Sequence, residues 1–166
     1  MNYIKHMEKL QDNWDIWHHS IKDNQWGKDT YQKIDQITSL FDYKYIKDTF
    51  QQDHYQNGMF FCMKDDIFPN WEDPDNRNGG CLSFKIQSIN IIEEWNDLLL
   101  KCITNNVFLT KDFYEEINGI SISPKKEFNI IKIWFKNSKF DYESVFKQSE
   151  NSLIDLKNSL YKKHTF

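Results

Sequence analysis

The stretch Ile120-Ser121-Ile122-Ser123-Pro124-Lys125-Lys126-Glu127-Phe128-Asn129-Ile130-Ile131-Lys132-Ile133-Trp134-Phe135 decides the class of fold. Ile120 and Ile122 alternate with serines. Beyond the polar turn, Ile131, Ile133 and Phe135 fall on one face and Ile130, Lys132 and Trp134 on the other. Period-two alternation on both sides of a turn predicts an antiparallel pair of strands, each with one dry and one wet face. Leu82, Phe84 and Ile86 alternate with Ser83, Lys85 and Gln87 in the same way. Met59-Phe60-Phe61-Cys62-Met63 is an apolar run of strand length, and residues 13–21 are β-rich around Trp14, Ile16 and Trp17. Helical spacing lies between these strands. Ser39 is an N-cap with Asp42 three residues on, followed by Tyr43, Ile46 and Phe50, and Asn90 with Glu93 repeats the pattern before Trp95, Leu98, Leu99 and Cys102. A third helix is predicted within 141–160 from Val145, Leu153, Leu156 and Leu160, whose spacing is less regular. The chain therefore reads as α+β, a mostly antiparallel sheet with helices packed on one side.

At 166 residues the chain is the size of one domain, long enough to bury roughly two thirds of its unfolded surface. No repeat or Pro/Ser-rich linker divides it, so the expectation is a loosely ordered tail over 1–12 and a single domain over 13–166. Aromatic residues are 16% of the chain while alanine is absent and Arg77 is the single arginine. Aromatic rings thus carry burial that small aliphatics usually supply. The scarcity of alanine, arginine, glycine and proline beside abundant Asn, Ile, Lys and Asp looks like coding bias.

A formal charge of −4 argues against coating long nucleic acid by charge alone, and leaves a compact anionic ligand open. With no long apolar run and no secretory pattern at its start, the chain is expected to be soluble and cytoplasmic. Cys62, Cys81 and Cys102 are odd in number and lack C-x-x-C spacing, which reads as reduced thiols. Adjacent His18 and His19 point to opposite strand faces and have no second pair, so neither a metal nor a cofactor is expected. The acidic pairs Asp65-Asp66, Glu93-Glu94 and Glu115-Glu116 have no definable catalytic partner, and no phosphate loop, nucleophile elbow or dinucleotide fingerprint is present, so the chain does not read as an enzyme.

The connection between the strands at 59–64 and 82–87 is long and punctuated by Pro69, Pro74 and Gly79-Gly80. Loops of that length are more often functional than idle. It places Trp71 beside Glu72, an indole in a loop next to a carboxylate.

The block Lys64-Asp65-Asp66-Ile67-Phe68-Pro69-Asn70-Trp71-Glu72-Asp73, followed by Asn76 and Gly79-Gly80, resembles the mRNA cap-binding factor 4E family of eukaryotic translation initiation. Tyr3-Ile4-Lys5-His6, Leu10-Gln11, Trp14 and Trp17 are similar to the family's entry into its first strand, Trp26 to its first-loop tryptophan, and Trp95 to that of its second helix. Gly119 and Ile133-Trp134 match its fourth and fifth strands. The likeness covers roughly residues 3 to 135 and fades in the last thirty.

The resemblance implies a curved antiparallel sheet of about eight strands, three helices on its convex back and a cap slot on the concave face. Trp26 and Trp71 would sandwich 7-methylguanine, Glu72 would accept from the base's N1–H and exocyclic amine, and Trp134 would touch the methyl group. An indole is the best stacking partner for such a delocalised cation. The family's basic residue after Gly-Gly is Cys81 here, and the tryptophan after it is Leu82. Its strand-four arginine is Lys125, a point charge without a bidentate grip. Its strand-five basic position is Ile130, with Lys132 on the same face about 6.7 Å further on. Lys125, Lys132 and Arg77 are therefore the expected phosphate contacts, with capped mRNA as partner.

Adaptor partners of the 4G and 4E-binding kinds are implied on the back, through Leu40, Leu100 and a first-helix tryptophan whose position is Lys44. Asn96 and Met7 are further departures there, so adaptor binding is expected to be weak or altered. The chain is expected to be a monomer, with poorer contacts beyond the cap because it ends at Phe166. A second reading keeps the same fold with a degraded phosphate site, as a protein interaction module or translational regulator acting through its back face or competing for caps without recruiting ribosomes.

Overall fold

The computed structural model describes residues 9–165. The chain runs β1 (Lys9–Ser20), β2 (Tyr31–Ser39), α1 (Leu40–Thr49), α2 (Gln52–Asn57), β3 (Gly58–Lys64), β4 (Gly80–Gln87), α3 (Ile91–Ile103), β5 (Ile117–Pro124), β6 (Phe128–Phe135) and β7 (Ser159–Lys163). The seven described strands form one sheet in the order β2-β1-β3-β5-β6-β4-β7, with every pairing antiparallel. The hairpin read from Ile120 to Phe135 is β5 and β6, with Ile122 opposite Ile131 and Ser121 opposite Lys132.

Alternation divides the side chains between two faces. Trp14, Ile16, Phe60, Cys62, Leu82, Phe84, Ile120, Ile131, Ile133 and Phe135 form the core with Tyr43 and Ile46 of α1, Tyr55 of α2, and Trp95, Leu98, Leu99 and Cys102 of α3. The opposite face carries a second cluster, Phe61, Met63, Cys81 and Trp134, with Trp17, Tyr31, Met59 and Ile67 packed against it. Trp14 and Trp95 are thus core residues, while Trp17 belongs to the uncovered face and meets Phe68 edge-on at 5.2 Å. Cys62, Cys81 and Cys102 are buried free thiols.

Helix α1 starts as its sequence predicts. Thr38 and Ser39 donate their amides to Asp42 Oδ2 at 2.8 and 3.1 Å, and the Asp42 amide donates to Ser39 Oγ at 3.3 Å. Burial alone would raise the Asp42 carboxyl; these donors outweigh it and hold it below its ordinary value. Asn90 does not repeat the device. Its backbone is already helical (φ −103°, ψ −2°), following a 3-10 turn over Ser88–Asn90, and its side chain makes no capping bond.

Two further expectations change. β1 begins at Lys9, inside the stretch read as a tail, because Lys9 pairs with Ser39 and Leu10 packs against the core. Residues 1–8, with the Tyr3–His6 match and Met7, lie outside the described residues. No third helix forms within 141–160: Phe146 bridges to Phe108, a 3-10 turn spans Leu156–Asn158, and the chain enters β7. The apolar residues there share no face, since Ile154 is buried while Leu153 and Leu160 are exposed. The segment is held to α3 by buried Glu94, which accepts from Ser152 Oγ at 3.1 Å and the Leu153 amide at 3.0 Å. The third α-helix is instead α2, a six-residue segment whose Tyr55 is buried against Phe60 and Trp95.

Candidate functional site

The loop from Asp65 to Gly79 is built around Asn76, which is fully buried. Asn76 Nδ2 donates to the carbonyls of Phe68 and Asn70 at 3.0 and 2.8 Å, and its Oδ1 accepts from Asn118 Nδ2 at 2.9 Å. Asp73 accepts from the amides of Phe68 and Asp75, at 3.1 and 2.9 Å, and its own amide donates to Asn70 Oδ1 at 2.8 Å. Short polar side chains capturing nearby backbone groups turn a long loop into a fixed platform. Trp71 and Glu72 are exposed on it. Gly79 lets the platform close on the sheet, since a Cβ there would collide with the Phe135 carbonyl.

The first loop, between β1 and β2, carries Trp26, which is 52% exposed; Trp71 is 47% exposed. Trp26 lies flat on the imidazole of His19, centroids 4.1 Å apart and planes at 6°. His19 is fully buried, and its Nε2 donates to the Gln25 carbonyl at 2.9 Å.

Trp26, Trp71, Glu72 and Trp134 line one cavity of about 420 Å³ on the uncovered face of the sheet. Phe61 and Tyr31 contribute to its walls, and burial pushes the Tyr31 phenol up to about 12. Trp134 is 7% exposed and donates Nε1–H to Ser121 Oγ at 3.0 Å, which restrains its ring. A cavity of this size lined by aromatic rings with a few polar groups suits a small ligand.

Of the basic residues expected from sequence, Lys132 lines the cavity. Lys125 lies in the exposed β5–β6 turn, its amide donating to the Phe128 carbonyl at 2.8 Å, and is outside the lining. Exposed Arg77, whose amide donates to the Asp73 carbonyl at 2.9 Å, is also outside it. In their place β7 and the residue after it bring Lys162, Lys163 and His164 to the wall. No motif in the last thirty residues marks these three; they reach the wall because β7 pairs with β4 and sets Lys162 opposite Cys81. Burial lowers the His164 imidazole below its ordinary value, the Asn76 carbonyl raises it and Lys132 lowers it further. Burial pushes the Cys81 thiol up to about 12, with Lys132 pulling the other way.

On the helical side, Leu40 is 37% exposed, and Lys44 pairs with Asp48 four residues on. Leu100 packs partly buried against the core, and Asn96 is buried, its backbone carbonyl accepting from Tyr43 OH at 2.9 Å. Phe41 and Tyr45 of α1 are exposed beside Lys44, a pair that no sequence motif marks. Among the described residues no helix is long and apolar enough to cross a membrane, and no group of three or more His, Cys, Asp or Glu could hold a metal ion.

An antiparallel sheet covered by helices on one face and carrying an aromatic cleft on the other defines the class of this protein as α+β with its cleft opposite the helices. The sequence model described as Eukaryotic initiation factor 4E matches residues 9–165, and the chain belongs to that family. It is 26% identical over 171 residues to eukaryotic translation initiation factor 4E of Dictyostelium discoideum, covering 97% of this chain and 61% of that protein. It is 33% identical over 103 residues to initiation factor 4E-1 of Hordeum vulgare subsp. vulgare, covering 61% of this chain and 46% of the relative. The chain thus spans about half the length of these curated relatives.

Among solved structures, C. elegans eIF4E-3 in complex with the 4E-binding protein Mextli and cap analog superposes with a TM-score of 0.78 at 16% identity, over 95% of this chain and 92% of that one. Ascaris suum eIF4E-3 with m7G cap superposes with a TM-score of 0.76 at 18% identity, with the same coverage of both chains. At these identities the likeness is one of fold.

Proposed function

We propose that this chain binds the 7-methylguanosine 5′ cap of mRNA, with the methylated base between Trp26 and Trp71, and acts as a translation initiation factor in the cytoplasm. The observation that carries the reading is that Trp26, Trp71, Glu72, Trp134 and Lys132, drawn from separate stretches of sequence, line a single cavity of about 420 Å³. A 7-methylated guanine is a flat cation, and each indole face it meets is worth up to about 2 kcal/mol when desolvated. Glu72 accepts from the N1–H and the exocyclic amine together, a pairing that adenine cannot offer. Trp134 sits at the methyl group. Lys132 takes the phosphates with Lys162 and Lys163, while Lys125 and Arg77, outside the lining, contribute long-range attraction.

Two stacks at about 1–3 kcal/mol each and a charged pair at about 1.5–3 kcal/mol stand against an association cost of about 4 kcal/mol or more. The balance is at most about 5 kcal/mol, so micromolar binding needs about 3 kcal/mol more from the lysine–phosphate contacts, which weaken with salt. No bond is made or broken in this function, so the reading is of a binding protein and not an enzyme. Adaptors of the 4G or 4E-binding kind would meet α1 and α3, and Lys44 in place of a tryptophan weakens or alters that contact.

Tryptophan fluorescence tests the proposal: 7-methyl-GTP is expected to quench and GTP is not. Quenching by neither nucleotide would assign the chain to the second reading, an interaction module working through α1. The 63% and 62% exposure of Phe41 and Tyr45 favours such a surface.

A further inference from the structure

Each of the two exposed indoles is met by a buried histidine. His19 is parallel to Trp26 at 4.1 Å, and its Nε2 donates at 2.9 Å to the carbonyl of Gln25, the residue just before that indole. His164 is 8% exposed and meets the Trp71 ring edge-on at 6.4 Å and the Trp134 ring at 5.6 Å. Its Nδ1 donates at 2.7 Å to the carbonyl of Asn76, inside the Trp71 loop. The arrangement is the same on both sides: one imidazole makes a ring contact with an indole and a hydrogen bond to the backbone of that indole's loop. A phenyl ring supplies the first alone, and a carboxamide the second alone.

We propose that His19 and His164 are the positioning residues of the two tryptophans, holding the indoles at the separation and tilt that a flat ligand ring requires. The identity of the ligand rests on the cap reading; the geometry does not. An exposed indole rotating about its side-chain bonds loses that freedom when a ring stacks on it, which weakens binding. Backing the indole beforehand removes part of that loss. His19 is not part of the cavity lining although Trp26 is, so it occupies the indole face turned away from the cavity and leaves the other for the ligand. His164 does for Trp71 what β7 does for the sheet: it ties the chain's last strand to the ligand loop, its amide donating to the Gly79 carbonyl at 3.0 Å.

The test compares affinity for 7-methyl-GTP in His19→Leu, His19→Phe, His164→Leu and His164→Gln, with near-ultraviolet circular dichroism to verify folding. Loss of a ring contact is expected to weaken binding about threefold to tenfold in each leucine variant. His19→Phe, which keeps a flat ring, and His164→Gln, which keeps a donor for Asn76, are expected to recover at least half of the loss. Folded leucine variants that bind as the wild type does would overturn the proposal. A second measurement needs no ligand: the His19 ring protons are expected to be shifted upfield by the stacked indole and to return to ordinary positions in Trp26→Leu. Unmoved His19 resonances would overturn it too. Should the wild type fail to distinguish 7-methyl-GTP from GTP, the cap reading falls, and the resonance measurement still decides the backing of Trp26.

Discussion

The Cys81 thiol and the His164 imidazole are hydrogen-bonded beneath the cavity, Sγ to Nε2 at 3.3 Å. The Asn76 carbonyl accepts from Nδ1, so the proton of the neutral ring is on Nδ1 and Nε2 offers its lone pair to the thiol. Where the resemblance leads one to expect a basic residue, this chain has a neutral donor. The pair therefore belongs to the wall of the site and not to its charge.

His164 sets a pH dependence of stability. Its folded value lies below the ordinary 6.5, with burial the largest cause, so the unfolded chain binds more protons just below that pH. Stability is unaffected by this group above about 6.5 and falls as pH drops toward the folded value. His18 is lowered too, first by burial and then by His19, and adds in the same direction. In urea titrations, His164→Gln is expected to lose less stability than the wild type between neutral and mildly acidic pH; parallel curves would contradict the assignment.

Removing one stacking partner isolates the base contact. Trp71→Ala is expected to reduce 7-methyl-GTP affinity by about fivefold to 150-fold, from about 1–3 kcal/mol per stack. Glu72→Gln is expected to cost about 1.5–3 kcal/mol and to narrow the preference for guanine over adenine. Fluorescence titration with the two methylated nucleotides measures both.

The lysines are separable by salt. Lys132→Ala and Lys162→Ala are each expected to flatten the dependence of log affinity on log salt, by about one unit of slope at most per lysine. Lys125→Ala is expected to change it less, since that residue lies outside the lining. A double Lys125→Ala, Lys132→Ala variant with unchanged affinity and unchanged salt slope would remove both from the phosphate site.

The helical face responds to its missing anchor. Lys44→Trp is expected to strengthen binding of a Tyr-x4-Leu adaptor peptide by about 2 kcal/mol, the scale of a buried tryptophan at an interface. Isothermal titration with wild type and variant reads the difference, and tight binding by the wild type would show that Lys44 is no handicap.

Glu94 carries the C-terminal segment. Replacing it with leucine leaves the Leu153 amide and the Ser152 hydroxyl without their acceptor, at a cost of about 1–3 kcal/mol. Urea denaturation measures the loss. Because β7 follows this segment, 7-methyl-GTP affinity is expected to fall along with stability.

The strands at 82–87 and 120–135, the capped helix after Ser39 and the aromatic loop around Trp71 were legible in the residues alone. Their signals are local: a period of two, a capping pair, a cluster of turn formers about an indole. The same locality explains the failures. Val145, Leu153, Leu156 and Leu160 suggested a helix, yet burial there depends on contacts with Phe108 and Glu94 from distant parts of the chain. The phosphate side shows the division most clearly. The family resemblance marks Lys125 and Lys132, with Arg77 beside them; of these Lys132 lines the cavity, and Lys162, Lys163 and His164 join it because β7 pairs with β4. Cys81 and His164 meet across 83 residues. The sequence by itself determined the strands at 59–64, 82–87 and 120–135 and which loop carries the indole and carboxylate, but not β2 or β7. Tertiary structure decided which basic groups and which histidines stand around them, because strand pairing between distant segments leaves no periodic trace in either one.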